Sequence, residues 1–272
     1  MQVLRLKIYQ PSGHYRIPFT YQRRHTYPIP PYSTVIGLFC NLLGIKPGTE
    51  ENQDKNLQKI KNGLSLAIYG KFKSITTEYT WLRNLAVKSH QTRFGRPEQR
   101  SVSMQPEHIG GQMPTKIDVL NDNDLLIYVS HTDLNFLNKL LECFTNPSNR
   151  TYPVHLGRAE DLIVIKDAKI EELTIDSYVG KLDYFYWLPH LKSALIPKET
   201  DNGDYENFFK NTYGILFRMP TYYRIAENGV RNFEYIQVKL VEGKVGFVSG
   251  TKPLKIWQDI EEKIPIFLAK LR

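Results

Sequence analysis

Between Val3 and Tyr9 the chain alternates. Leu4, Leu6 and Ile8 fall on one face, and Val3, Arg5, Lys7 and Tyr9 on the other. This predicts a strand with one face on a core and one basic, aromatic face. From Val35 the period changes. Val35, Ile36, Phe39, Leu42 and Leu43 recur at helical spacing, with Ser33 as the expected cap and Gly44 as the expected stop. A polar segment, 46–62, leads into a second predicted strand at 64–72. Over 74–116 the pattern dissolves into polar and basic sequence, broken by Gly95-Arg96-Pro97 and Gly110-Gly111. That is long for a plain loop and reads as a functional or disordered insertion. A third strand is expected at 125–130. Thr132 or Asp133 can cap a helix whose apolar stripe is Leu134, Leu137, Leu140, Leu141 and Phe144, with Pro147 just past its end. A fourth strand covers 161–166.

The order strand–helix–strand, insertion, strand–helix–strand is the split βαβ plan. The expected class is α+β: a ferredoxin-like (RRM-like) antiparallel sheet with two helices on one face, the other face left available, and a long inserted thumb at 74–116. This unit spans 1–170. Residues 171–272 read as a β-rich C-terminal extension, with aromatics clustered at 184–189, a hairpin over 233–249 turning near Glu242-Gly243, and a helix over 256–271 interrupted at Pro265.

Charge changes the picture more than composition does. The chain carries a formal +8 over 272 residues. Residues 1–49 hold Arg5, Lys7, Arg16, Arg23, Arg24 and Lys46 and no Asp or Glu. Residues 71–106 hold Lys71, Lys73, Arg83, Lys88, Arg93, Arg96 and Arg100 against Glu78 and Glu98. Such an imbalance suggests a face built to meet phosphates, or else a solvated basic surface. The longest apolar stretch, 35–45, is too short to span a bilayer, and the N-terminus does not read as a signal peptide. Cys40 and Cys143 sit in apolar helical patterns and read as reduced, buried thiols, so a cytoplasmic protein is expected. Four-ligand zinc spacing is absent, and no metal or cofactor is expected.

Three stretches carry candidate chemistry. In "YPIPPYSTVIGLF", 27–39, Pro28, Pro30 and Pro31 hold the chain extended and aim it at a helix N-terminus. Beside Arg23, Arg24 and His25 that N-terminus could hold a phosphate, or the segment could be a rigid connector. "LRNLAVKSHQTRFGRPEQRS", 82–101, is a basic arm suited to a single-stranded nucleic acid, or a solvated loop. "YPVHLGRAEDL", 152–162, puts Gly157-Arg158 in a turn. There glycine would let a polymer backbone approach and Arg158 would fork onto a phosphate, or Arg158 would pair with Glu160 or Asp161. Nucleotide-binding, serine-hydrolase and zinc-protease motifs are missing.

"YPIPPYSTVIGLFCNLLG" followed more than a hundred residues later by "YPVHLGRAEDLI" resembles the CRISPR-associated (Cas) protein five family of the RAMP superfamily, of the type I-B style. The resemblance implies a subunit of the Cascade surveillance complex that binds the 5′ handle of CRISPR RNA in antiviral defence. It implies backbone and large Cascade subunits as neighbours and target DNA as an indirect partner, with no membrane. The thumb maps to 74–116, the glycine turn to Gly157 and Arg158, and the helix entry to residues 28–34, including Tyr32 and Ser33. Arg16, Arg23, Arg24, His25, Arg83, Lys88, Arg93, Arg96 and Arg100 join the RNA-binding set on charge and position.

One branch of the family cuts repeat RNA with a Tyr near the start of the first helix and a Lys-His pair. Here Tyr32, Lys88 and His90 would be the counterparts, but Lys88 and His90 are not adjacent. The expectation is therefore a non-catalytic subunit, with a metal-independent endoribonuclease as the alternative. A generic RRM ranks last, because "DLLIYVS", 124–130, lacks the aromatic-rich pattern that reads bases.

Overall fold

The computed structural model describes residues 1–18, 20, 23–45, 57–58, 60–83, 101–102, 105–106, 112–150, 152–178, 182–225, 231–243 and 253–272. The strands of the N-terminal part are β1 (Gln2–Gly13), β2 (Arg23–Arg24), β3 (Ser65–Lys71), β4 (Ser74–Arg83), β5 (Ser101–Val102), β6 (Gln105–Pro106), β7 (Gln112–Ser130) and β8 (Val164–Glu172). They are followed by β9 (Thr174–Tyr178), β10 (Phe185–Pro189), β11 (Ile215–Ile225), β12 (Arg231–Glu242), β13 (Leu254–Asp259), β14 (Ile264–Ile266) and β15 (Ala269–Lys270). Among the described residues the long helices are α1 (Tyr32–Leu42), α2 (Leu134–Thr145) and α3 (Asn202–Asn211).

The fold is α+β, built on a large sheet of order β11-β12-β10-β3-β7-β1-β8 whose pairs are antiparallel. The alternation of β1 decides how it sits. Leu4, Leu6 and Ile8 join Ile127 and Val129 of β7 and the buried residues of α1 and α2 in one core. Val3 joins Tyr69, Leu126 and Tyr128 in a second core with Tyr186, Phe208, Ile256, Ile264 and Phe267. The face opposite the two helices is thus covered by the C-terminal third of the chain.

Arg5 shows the consequence. It was expected on the basic face of its strand, and it is 0% exposed. Its guanidinium meets Asp259 at 3.0 Å, Glu261 at 3.1 Å, Glu171 at 3.3 Å, Asp167 at 3.4 Å and Glu262 at 3.6 Å. Burial alone would lower its pKa, but hydrogen bonds to Asp259 and Glu261 outweigh it and the pKa is raised. A buried charge is tolerated because it is paired on several sides.

Helix α1 starts two residues earlier than expected. Its cap is Pro31, extended at φ −70° and ψ 158° with no side-chain bond, so Ser33 lies inside the first turn. The Pro31 carbonyl accepts from Thr34 N and Val35 N. Gly44 stops the helix as predicted, at φ 66°, with Ile45 N donating to Cys40 O. Of the two candidate caps for α2, Asp133 is the one used, accepting from Asn135 N at 3.0 Å.

Three expectations for 74–272 are corrected. First, 74–83 and 112–121 are not patternless. Strands β4 and β7 run as a ribbon from Ser74↔Asn121 to Arg83↔Gln112. Asp122, at φ 53°, marks where β7 leaves the ribbon and enters the main sheet. Second, β12 lies between β11 and β10, with β11 as its hairpin partner, and the predicted second arm at 244–249 lies outside the described residues. Third, the helix expected over 256–271 is replaced by the short strands β13, β14 and β15. Leu254 and Ile256 point inward around exposed Lys255, and Pro265 sits on β14, the edge of the small sheet β14-β13-β9. The helix in this third of the chain is α3, capped by Asp201, which accepts from Gly203 N and Asp204 N.

The proline segment is a docking strip. Ile29 is fully buried, and Tyr27 lies edge-on to Trp187 and Phe217. The Trp187 indole donates to Pro30 O at 2.9 Å. The prolines thus clamp β10 to the entry of α1. Trp187→Phe removes that donor and leaves a buried carbonyl unpaired beside a cavity. We expect a loss of ~2–3 kcal/mol, read by urea unfolding.

Candidate nucleic-acid interface

The end of β1, strand β2, the β4–β7 ribbon and the 155–162 turn meet at one end of the sheet. Strand β2 runs parallel to β7 with Arg23↔Lys116 and Arg24↔Ile117. Across β7, Lys116 pairs with Tyr79. Arg23, Lys116 and Tyr79 therefore lie abreast on three neighbouring strands, with Trp81 two residues further along. Tyr79 and Trp81 are 61% and 54% exposed, and their rings meet edge-to-face at 6.2 Å. Exposed aromatic rings beside cations make a surface on which bases can stack.

Asp118 organises this face. It accepts from His25 at 2.7 Å, Thr77 at 3.0 Å and Arg23 at 3.2 Å. Burial would raise its pKa, yet the hydrogen bonds from His25, Thr77 and Arg23 hold it below the usual carboxylate range. Arg23 and His25 are thus compensated within the protein.

Arg158 is compensated too. It reaches Asp161 at 2.8 Å, Glu78 at 2.9 Å and Glu160 at 3.4 Å. Hydrogen bonding to Asp161, above all, raises its pKa. The Gly157 backbone serves the protein's own chain. Its φ is 101°, and a Cβ there would lie 2.7 Å from His14 O. Buried Asp161 locks the turn, accepting from His14 N at 3.0 Å and Arg158 N at 3.1 Å. The paired reading of Arg158 is the one the structure supports. Gly157→Ala is expected to cost ~2–3 kcal/mol from its backbone conformation and the clash, visible as a lower urea midpoint.

Arg16 and Arg24 differ. Among the described residues neither has a carboxylate partner. Arg16 donates to Thr20 O at 3.2 Å, and Arg24 Nε is buried without a partner. Burial first, then the charge of Arg16, lowers the Arg24 pKa. Close by, His14 donates from Nδ1 to Asp118 O at 2.8 Å, leaving Nε2 unpartnered. Burial lowers its pKa, with Arg158 and Arg24 adding to the effect against the Asp118 backbone bond. The unfolded chain binds that proton more readily. His14 therefore adds stability above its ordinary pKa, and this is lost as pH falls through its folded value.

Tyr32 is corrected. It is 0% exposed and burial pushes its hydroxyl pKa upward, so it faces neither solvent nor a ligand. Ser33 is half-buried in the first turn of α1. Arg83 ends β4. Lys88, His90, Arg93, Arg96 and Arg100 lie outside the described residues. Tyr79, Trp81 and Lys116 were missed. Their signal was the alternation Ile75, Thr77, Tyr79, Trp81, hidden by a polar opposite face. Among the described residues, no group of three or more His, Cys, Asp or Glu could hold a metal ion, and no helix is long and apolar enough to cross a membrane.

The model of a protein family described as CRISPR-associated protein (Cas_Cas5) matches residues 3–183. The chain belongs to this family. Both stretches that carried the resemblance fall within the match, so the Cas5 assignment stands on the sequence itself. A chain of a "CRISPR RNA-guided surveillance complex" has the same fold. It superposes with a TM-score of 0.52 at 11% identity, covering 94% of this chain and 91% of its own. A "CRISPR protein from Archaeoglobus fulgidus" is 12% identical with a TM-score of 0.40 over 99% of each chain. A structure described as "Cas protein" is 14% identical, with a TM-score of 0.43 over 92% of this chain and 100% of its own. No curated protein matches in sequence.

Proposed function

We propose that this Cas5 protein is a non-catalytic, RNA-binding subunit of a type I CRISPR surveillance complex of the I-B style. It holds the 5′ handle of CRISPR RNA in the cytoplasm, beside the backbone and large subunits, with target DNA an indirect partner. Residues 1–170 form a ferredoxin-like RNA-binding unit, supported by the order β3-β7-β1-β8 with α1 and α2 packed in one core. Residues 171–272 are its extension.

One observation carries the reading. Arg16 and Arg24 repel one another with no carboxylate partner among the described residues, whereas Arg23 and Arg158 are neutralised internally. Uncompensated cations, here exposed Arg16 beside half-buried Arg24, are stabilised by an incoming phosphate. The exposed Tyr79–Trp81 pair on the ribbon adds a stacking surface for the same strand. Burial of Tyr32 weighs against the endoribonuclease alternative, which begins from that residue.

The test is one incubation of purified protein with labelled CRISPR repeat RNA in EDTA, resolved on native and denaturing gels. The expected result is a shifted, intact RNA whose affinity falls with salt. A specific cut within the repeat would overturn the non-catalytic assignment.

A further inference from the structure

A cleft of about 450 Å³ lies between α1, the 152–157 turn and β11. Helix α1 lines it with Ser33, Gly37 and Asn41, and the facing wall carries Tyr152, Tyr222 and Tyr223. Three features mark it as built to receive something. Gly37 sits inside a helix, where glycine weakens the helix, and a Cβ there would meet nothing within 4 Å. No packing reason explains that glycine.

The second feature is a β-bulge. Strand β11 pairs Pro220 with Tyr235 and Tyr223 with Phe233, so it carries one extra residue at 221–222. Successive Thr221 and Tyr222 are therefore both turned inward, each 2% exposed. The third is chemistry. Tyr222 Oη and His155 Nδ1 are buried without partners, while the Lys61 ammonium lies 4.9 Å over the Tyr222 ring and holds it.

We propose that the cleft takes one unstacked nucleobase of the bound RNA, a reading that deepens and rests on the function proposed above. Among the described residues, no Lys, Arg, Asp or Glu lines the cleft, so it suits a neutral, flat group rather than a phosphate. Tyrosine rings offer apolar walls, and a base edge offers acceptors and donors to the two orphaned polar atoms. An apolar side chain of a partner protein would leave both unsatisfied. Gly157 joins the cleft to the turn that carries Arg158, so a strand tracking the interface passes its mouth.

The experiment uses CRISPR repeat RNA carrying thiouridine at one position at a time, cross-linked to the full chain, with Gly37→Leu and Tyr222→Phe alongside. One position should cross-link to the peptide containing Tyr222 and Tyr223. Gly37→Leu fills the cleft and should weaken binding about tenfold, with an unchanged salt slope and no loss of thermal stability. Tyr222→Phe should raise the melting temperature, because a buried orphan hydroxyl is removed, and still weaken binding about threefold. Wild-type affinity for Gly37→Leu with no cross-link in the cleft overturns the proposal. So does a Gly37→Leu protein that binds RNA normally but no longer co-purifies with a neighbouring subunit, since the occupant is then a protein side chain. A wild-type protein that leaves the RNA unshifted removes the RNA-binding function, and this proposal with it.

Discussion

Arg5→Met is expected to destabilise the protein by ~3–5 kcal/mol, the cost of breaking a buried ion cluster from one side. Against a total stability of roughly 5–15 kcal/mol, that is a large share. Arg5 lies between Asp167 and Glu171 of β8 and the Asp259–Glu262 turn. Lys7 and Lys169 help, at 2.6 Å from Glu262 and 2.5 Å from Glu261. Without Arg5, five carboxylates face two lysines, and Asp259 keeps the Tyr128 hydroxyl and the Glu261 and Glu262 amides as donors.

The pH dependence gives the mechanism away. In the native protein, burial would raise the Asp259 pKa, but amide, Tyr128 and Arg5 hydrogen bonds bring it below its ordinary value. Hydrogen bonds from Lys169 and Arg5 bring Glu261 to about 2. Groups depressed in the folded state contribute stability above their unfolded pKa and lose it as pH falls through the folded value. Arg5→Met removes that depression and leaves repelling carboxylates that are relieved by protonation. The gap between wild type and variant should therefore narrow as pH falls below the ordinary carboxylate range towards about 2 in urea unfolding. A gap that stays constant would mean that lost packing, not charge, sets the effect.

Replacing Arg16 and Arg24 together by alanine is expected to weaken repeat-RNA binding about 100-fold at low salt, as two charge-assisted contacts would. The slope of log affinity against log salt should shrink by roughly 1.4, because about 0.7 is lost per phosphate contact to a single strand. Stability should hold or rise slightly, since the variant removes a like-charge repulsion rather than an ion pair. Arg23→Ala is the internal comparison. Its charge already belongs to Asp118, so its binding loss should be several times smaller. Equal losses for Arg23 and for the Arg16–Arg24 pair would remove the distinction on which the interface rests.

How far the fold could be read depended on where each residue finds its partner. Strand β1 and helices α1 and α2 were legible because one clean face of each meets the core. The ribbon was not. Thr76, Glu78 and Thr80 make one side polar and Thr77 interrupts the other, and its pairing comes from residues about forty positions away. The 256–271 region misled through coincidence. Ile256, Ile260, Ile264, Phe267 and Leu271 fall near helical spacing, yet exposed Ile260 and the Lys263 turn at φ 55° break it into strands. The candidate site shows the same divide. A charge count found Arg16, Arg23, Arg24 and Arg158, but only geometry shows which of them are already neutralised.

The Arg5 cluster also sets a timetable. Its Asp259 partner lies 254 residues downstream, and Leu271 N reaches back to Leu64 O. On the ribosome the first strand emerges long before the residues that neutralise it. Until they arrive, Arg5 must stay in water, and the face of the sheet on which it lies cannot close. Domains usually mature as they are synthesised, N-terminal part first. Here the earliest strand is the last to settle, and the high sequence separation of its contacts makes folding slow. Arrival of residues 254–270, rather than emergence of the first half of the sheet, is the event that lets this sheet become dry on both sides.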